Sequence, residues 1–228
     1  MQPDDRSSSR IRAQRTPPSA EDRVSKRRAL RKSASDLYRR AILDAAERVF
    51  ARSSFASAKI ADIAVEAGMA AGTLYNYFDS KEAIFQALCE ELGEQLLARF
   101  EALHGETQDV TSRLQGMVGA CLSHIEDHHS LFLIFHEVHT ELGHRKAGSD
   151  EIRGRVMRQL ERALRDGMAA DVVRRDLQAP DLVALLTGAI NGYVHAWFLA
   201  GGTKGLAARA ATITDVFLNG AAARGGKR

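Results

Sequence analysis

Apolar residues in this chain recur every three to four positions, the spacing of helix faces buried against a core. Ala41, Ile42, Ala45, Val49 and Phe50 form one stripe of a helix expected over about 36–52, and Phe55 closes the turn after it. Ile60, Ile63, Ala64 and Ala67 repeat the i, i+3, i+4, i+7 spacing in a second, shorter helix at about 59–67. Gly68 ends that helix, because glycine takes the left-handed conformation without steric cost. A third helix at about 71–77 buries Leu74 and Phe78 and leaves Thr73, Tyr75, Asn76 and Tyr77 outward or along its flanks. Ser80 caps a fourth, with Glu82 and Ala83 in its first turn. Ile84, Phe85, Leu88, Leu92, Leu96 and Phe100 carry it to about His104.

Further on, Gly105, the Asp127-His128-His129 stretch and the regions 143–150 and 174–180 read as breaks. They separate helices at about 110–126, 130–142, 151–170, 181–200 and 206–221. Val, Ile and Thr nowhere alternate with polar residues for long, so no strand is expected. The four prolines stand at positions 3, 17, 18 and 180, which leaves nearly the whole chain free to be helical. The fold class is all-α. Residues 37–98 form an N-terminal three-helix helix-turn-helix head, 99–221 a larger helical domain, and 222–228 a flexible tail. Residues 1–36, rich in Ser, Arg, Pro and Gln, bury too little to offset the entropy of ordering and are expected to be a disordered basic tail.

A helix-turn-helix places its second helix in the major groove of DNA, where side chains near its start meet base edges and phosphates. Charge agrees with that use. Residues 1–78 hold 15 basic against 9 acidic side chains, a net of +6, and residues 79–228 hold 17 against 20, a net of −3. Basic residues draw a phosphate backbone and release its counterions, so the asymmetry fits DNA binding by the N-terminal part, and an ordinary solvated surface gives the same imbalance. Within the tail, Lys26, Arg27, Arg28, Arg31 and Lys32 suit phosphates or a minor groove, or a solubilising role.

The run Arg40-Ala-Ile-Leu-Asp-Ala-Ala-Glu-Arg-Val-Phe, then Asp62-Ile-Ala-Val-Glu-Ala-Gly, then Gly72-Thr-Leu-Tyr-Asn-Tyr-Phe-Asp-Ser-Lys-Glu resembles the tetracycline-repressor (TetR) family of transcriptional regulators. The likeness covers roughly residues 38–97, about a quarter of the chain. It implies a ligand-responsive, sequence-specific DNA-binding regulator, a repressor released from its operator by a small molecule. Thr73, Tyr77 and Lys81 stand where the family contacts phosphates, and Ala71, Gly72, Tyr75 and Asn76 on the exposed start and face of the recognition helix. Two departures appear. Ala70-Ala71 stands where the family often has Ser-Lys, and Ala58-Lys59 where it has Thr-Thr or Thr-Ser. Lys59 then restores one phosphate contact, and Ser57 is expected to cap the second helix.

The resemblance further implies a homodimer on a palindromic double-stranded operator, built by the last two helices packing against their copies. That role falls to Leu182, Leu185, Leu186, Ala189, Ile190, Tyr193 and Phe217, with Gly188 and Gly192 permitting close approach. An effector enclosed among the fourth to eighth helices would meet Phe100, Met117, Cys121, Phe132, Phe135, His136 and Trp197. Moving the fourth helix would then tilt the head.

Six of the eight histidines fall between His124 and His144. His124 and His128 are four apart and His136 and His139 three apart, a spacing that suits a metal-responsive regulator. Two Glu-x-x-His strings, Glu101 to His104 and Glu141 to His144, match one element of di-iron bundles, but both abut helix breaks. Surface or lining histidines are the simpler reading, so neither metal nor cofactor is expected. Cys89 and Cys121 have no paired spacing and read as small core residues. No phosphate loop, nucleophile elbow or His-Glu-x-x-His string is present, and nothing demands catalysis. With no apolar stretch of about 18 residues and no hydrophobic leader, no membrane association and a cytoplasmic protein are expected.

Overall fold

The computed structural model describes residues 20–106, 109–134 and 150–220, and among them every regular element is helical. In order these are α1 (Ala20–Arg52), α2 (Ile60–Glu66), α3 (Ala71–Tyr75), α4 (Lys81–Glu106), α5 (Val110–Asp127), α6 (129–134), α7 (Asp150–Ala169), α8 (Ala179–Leu199) and α9 (Ala210–Asn219), the last preceded by a 3-10 turn at Ala207–Arg209. The expected all-α architecture is what the chain adopts.

The chain divides after Arg40 into two units. In the first, α1 begins at Ala20, well before the expected position 36, so residues 20–36 are helical where disorder was expected. Residues 25–40 are all exposed. The helix there owes its formation to Ala, Leu, Lys and Arg, all strong helix formers. An apolar stripe, the signal by which the other helices are recognised, is missing from this stretch.

In the second unit, the later part of α1, the short helices α2 and α3 and the start of α4 share one core. Ile42, Ala46, Val49 and Phe50 from α1 meet Ile63, Leu74, Phe78, Ile84 and Phe85, all buried. The rings of Phe50, Phe55 and Phe85 lie 5.3–6.2 Å apart in tilted and edge-on pairs, each contributing about 0.5–1.5 kcal/mol beyond simple burial. Gly68 has φ +68° as it ends α2, the conformation for which glycine was expected there. Ser80 Oγ accepts from the Ala83 amide at 3.1 Å and caps α4 as anticipated.

Helix α5 organises the rest. One of its faces places Leu114 and Met117 in a second core with Leu97, Phe100, Leu160, Leu164 and Leu182. The other places Val118, Leu122 and Ile125 in a third with Leu186, Ile190, Leu206 and Ile213. The Asp109 carboxylate accepts from the Ser112 amide at 2.8 Å and caps α5 at its start. At the other end, Glu126 accepts from the amides of Gly205, Leu206 and Ala207 at 2.8–3.1 Å, tying the connection before α9 to α5.

Helix α8 is, by length and composition, apolar enough to cross a membrane, against the expectation that no such stretch exists. Residues 182–203 carry no Asp, Glu, Lys or Arg, and Thr187, Asn191 and His195 interrupt the apolar run within the helix. Thr187 Oγ donates to its own helix, to Val183 O at 2.7 Å.

Helices α4 and α7 touch at Gly93, where an added Cβ would collide with Ile152. Gly93→Val should therefore push the two helices apart. The expected cost is about 1–3 kcal/mol of unfolding free energy, read as a lower urea midpoint at unchanged slope.

Candidate functional site

Helix α3, expected to be the recognition helix, is five residues long and presents its expected contact side chains unevenly. Ala71, Gly72, Tyr75 and Asn76 are exposed, Tyr75 at 53 %, whereas Thr73 and Tyr77 are half-buried, and Tyr77 leans on the head core. A Cβ built on Gly72 meets nothing within 4 Å, so the space over this turn is open. Lys59 is exposed immediately before α2. Neither α2 nor α3 has a side-chain cap at its start. The cap expected from Ser57 is absent, because its hydroxyl donates to Ser54 O at 3.3 Å and meets Ser54 Oγ at 3.1 Å, inside the preceding turn.

Lys81, expected at a phosphate, is engaged within the chain. Its ammonium donates to the carbonyls of Phe55 at 2.7 Å, Ala56 at 3.0 Å and Ala58 at 3.4 Å, and lies 4.8 Å from the Phe55 ring centroid. All three donors are thereby directed inward, so Lys81 pins the α1–α2 loop to the start of α4 and is not held out toward a phosphate. Arg48 and Arg52 each bond Glu66 at 2.7 Å, joining α1 to α2. Those two side-chain hydrogen bonds hold the Glu66 carboxyl below the usual range. The positive charge is thus not in the folded head: residues 41–78 carry three basic and four acidic side chains, and residues 1–40 carry twelve and five. Counting the head together with what precedes it hides the difference.

A cavity of about 150 Å³ opens among α4, α5, α6 and α7. Its wall is almost entirely apolar, with Cys89 and Gly93 from α4, Leu131 and Phe132 from α6, His124 from α5 and Arg153 from α7. His124 is 2 % exposed, and neither ring nitrogen has a hydrogen-bond partner. The Leu92 carbonyl is near enough to favour the charged ring slightly, but makes no hydrogen bond to it of acceptable distance and angle. Burial, joined by His128 and Arg99, draws the His124 pKa down to about 4, so the ring is neutral near pH 7. Burial pushes the Cys89 thiol up to about 12, with Glu90 adding to the effect, and burial alone does the same to Cys121.

Of the residues expected around an effector, Phe132 lines this cavity. Phe100 and Met117 are fully buried in the second core, with Cys121 packed beside them. Trp197 packs on the third core and donates from Nε1 to Lys204 O at 3.0 Å. Phe135 and His136 lie outside the described residues, as do His139, Glu141 and His144. Periodicity marks apolar positions but does not say which of them border a void, and so Cys89, Gly93 and Ile152 escape it. Among the described residues no group of three or more His, Cys, Asp or Glu side chains is placed to hold a metal.

The residues expected between subunits fall into two rows. Leu182, Leu186 and Ile190 are buried in the chain's own cores and are not available to a partner. Leu185 is 58 % exposed, Tyr193 37 %, and Ala189 is also exposed, while Phe217 is half-buried. Positions 182, 186 and 190 repeat every four residues on one side, and 185, 189, 192 and 196 run along another.

Comparison with known proteins places both halves. The family of bacterial regulatory proteins described as tetR matches residues 42–88, and a tetracyclin repressor-like C-terminal domain matches residues 107–221. The HTH-type transcriptional repressor KstR2 of Mycobacterium tuberculosis (strain H37Rv) is 32 % identical over 96 residues, 42 % of this chain, and the match spans about half, 48 %, of that relative. The fatty acid metabolism regulator protein of Bacillus subtilis (strain 168) is 24 % identical over 185 residues, 78 % of this chain and 93 % of that one. Among solved structures, the fatty acid degradation regulator FadR from Bacillus halodurans superposes with a TM-score of 0.74 at 24 % identity, covering 82 % of this chain and 97 % of that one. FadR from Bacillus subtilis, solved in complex with stearoyl-CoA, has a TM-score of 0.70 at 24 % identity, over 80 % and 98 %. An N-terminal match on the helix-turn-helix head and a C-terminal match over half the sequence, in that order along one polypeptide, make this chain a member of the tetR family of bacterial regulatory proteins.

Proposed function

We propose that this protein is a homodimeric, cytoplasmic transcriptional repressor that binds a palindromic operator through α3 and leaves it when a small apolar molecule enters the helical domain. The exposed start and face of α3, with Tyr75 and Asn76 outward and open space over Gly72, carries the proposal. Asn76 suits a base edge or a phosphate, Thr73 and the tyrosine hydroxyls suit phosphates, and Lys59 adds a point charge beside them. Long-range attraction comes from the basic residues before Ala41, whose excess of seven charges releases counterions without reading sequence.

A two-fold pair suits this head, because two copies read half-sites about one helical turn, ~34 Å, apart. The outer row of α8, Leu185, Gly188, Ala189, Gly192 and Ala196, supports that arrangement. It is apolar, exposed and built of small residues that let helices approach closely. An apolar cavity in the same domain supports an apolar effector, and the FadR relative of the same fold that holds stearoyl-CoA makes acyl compounds the first class to screen. The proposed activity is binding, with no residue assigned to catalysis.

Tyr75→Ala and Asn76→Ala are each expected to weaken operator binding by about 1–3 kcal/mol, roughly 5- to 150-fold, at unchanged melting temperature. Lys81→Met should act differently, lowering stability by about 1–3 kcal/mol as three carbonyls lose their donor. Its operator affinity should recover on cooling, as thermal melts paired with gel-shift titrations would show; an unchanged melt would return Lys81 to the phosphate-contact role. Leu185→Glu should convert the dimer to monomer in analytical ultracentrifugation and abolish tight operator binding while helicity persists. A dimer that survives this change and matching charges at Ala189 and Ala196 would exclude the outer row of α8 as the interface.

A further inference from the structure

The cavity has one polar feature on its inner wall, and that feature is connected to the head. His124 is buried with both ring nitrogens unpartnered, an arrangement that costs free energy unless something bonds to it. Its ring lies 4.9 Å from that of His128 and 6.3 Å from that of Phe132, edge-on to both. His128 Nδ1 in turn stands 3.3 Å from the Glu47 carboxylate on α1. Directly after His128 comes α6, where Leu131 has two roles: it lines the cavity, and with Ile134 it is buried in the head core beside α1 residues such as Ile42 and Val49. The occupant's polar contact, one cavity wall and part of the head's packing therefore lie within eleven residues.

We propose that His124 is the polar anchor of the effector site, bonding a hydroxyl or carbonyl oxygen on an otherwise apolar ligand, and that occupancy is passed to the DNA-binding head through Leu131 and the His128–Glu47 contact. The proposal rests on the reading above that this domain takes an effector. A neutral imidazole suits the assignment, since it donates from one nitrogen and accepts at the other and so bonds an uncharged oxygen without requiring a charge in an apolar wall. Arg153, exposed at the same cavity, leaves room for an anionic group on the solvent side. Packed interiors deform between discrete arrangements, so a ligand that moves Phe132 or His128 must also move what they touch.

The test uses phenol and benzene, because an apolar cavity of this volume admits a single benzene-sized ring. Both should saturate the full-length protein in ligand-observed NMR. Phenol should bind about two- to ten-fold more tightly, the margin of one hydrogen bond, and should shift the ¹⁵N signals of the His124 ring. His124→Phe keeps a flat ring at this position but removes both ring nitrogens, and should bind benzene while losing the preference for phenol. In the parent protein, phenol should also shift backbone amides of α1 around Glu47. His128→Phe should retain phenol affinity yet lose that remote shift. Failure of phenol to saturate, a preference for phenol that survives His124→Phe, unmoved ¹⁵N signals, or silent α1 amides would each overturn the proposal. None of these readouts involves an operator, so a failure here is distinct from a failure of the regulator reading, which the gel-shift titrations address.

Discussion

Helices of seven and five residues do not persist alone in water, since nucleating a helix costs more than so few hydrogen bonds return. That constraint governs the head. Ile63 of α2 and Leu74 of α3 are fully buried against α1 and α4, and this burial, with no side-chain cap at either start, holds the two helices in place. Loop geometry contributes the rest: Lys81 gathers three carbonyls of the α1–α2 connection, and Glu66 receives two arginines from α1. The orientation of α3 is thus a property of the core beneath it. Anything that repacks that core moves the exposed face of α3.

This makes the membership of the core significant. Leu131 and Ile134 belong to it although they come from the helical domain, and Glu47 of α1 meets His128 at the end of α5. Head and helical domain are therefore continuous through side chains as well as through α4. A domain boundary drawn near residue 98 on α4 describes the sequence match, but the packing does not stop there.

Much of the fold was legible from residue spacing. The stripes on α1, α2 and α4, the hinge at Gly68 and the cap at Ser80 each rest on a local rule, and local rules survive without tertiary information. What was not legible has three physical causes. The early part of α1 forms by propensity without an apolar face, so periodicity overlooks it. The outward and inward rows of α8 are both uncharged and nonpolar, and only the neighbours decide that Leu186 is buried while Leu185 is not. The cavity is made by four helices meeting imperfectly, and whether an apolar side chain borders a void depends on residues far away in sequence. Lys81 is a further case, because its resemblance to a phosphate-binding position says nothing about the three carbonyls folded over it.

The thiols of Cys89 and Cys121 show how an apolar interior shapes chemistry as well as packing. Both are driven up to about 12 by burial. At neutral pH the reactive thiolate is then present at a fraction on the order of 10⁻⁵. Peroxides attack that anion, so neither sulfur is a ready target for sulfenic acid formation. Burial thus keeps both sulfurs out of thiolate chemistry at neutral pH, and the cavity wall that Cys89 helps to form stays an apolar surface.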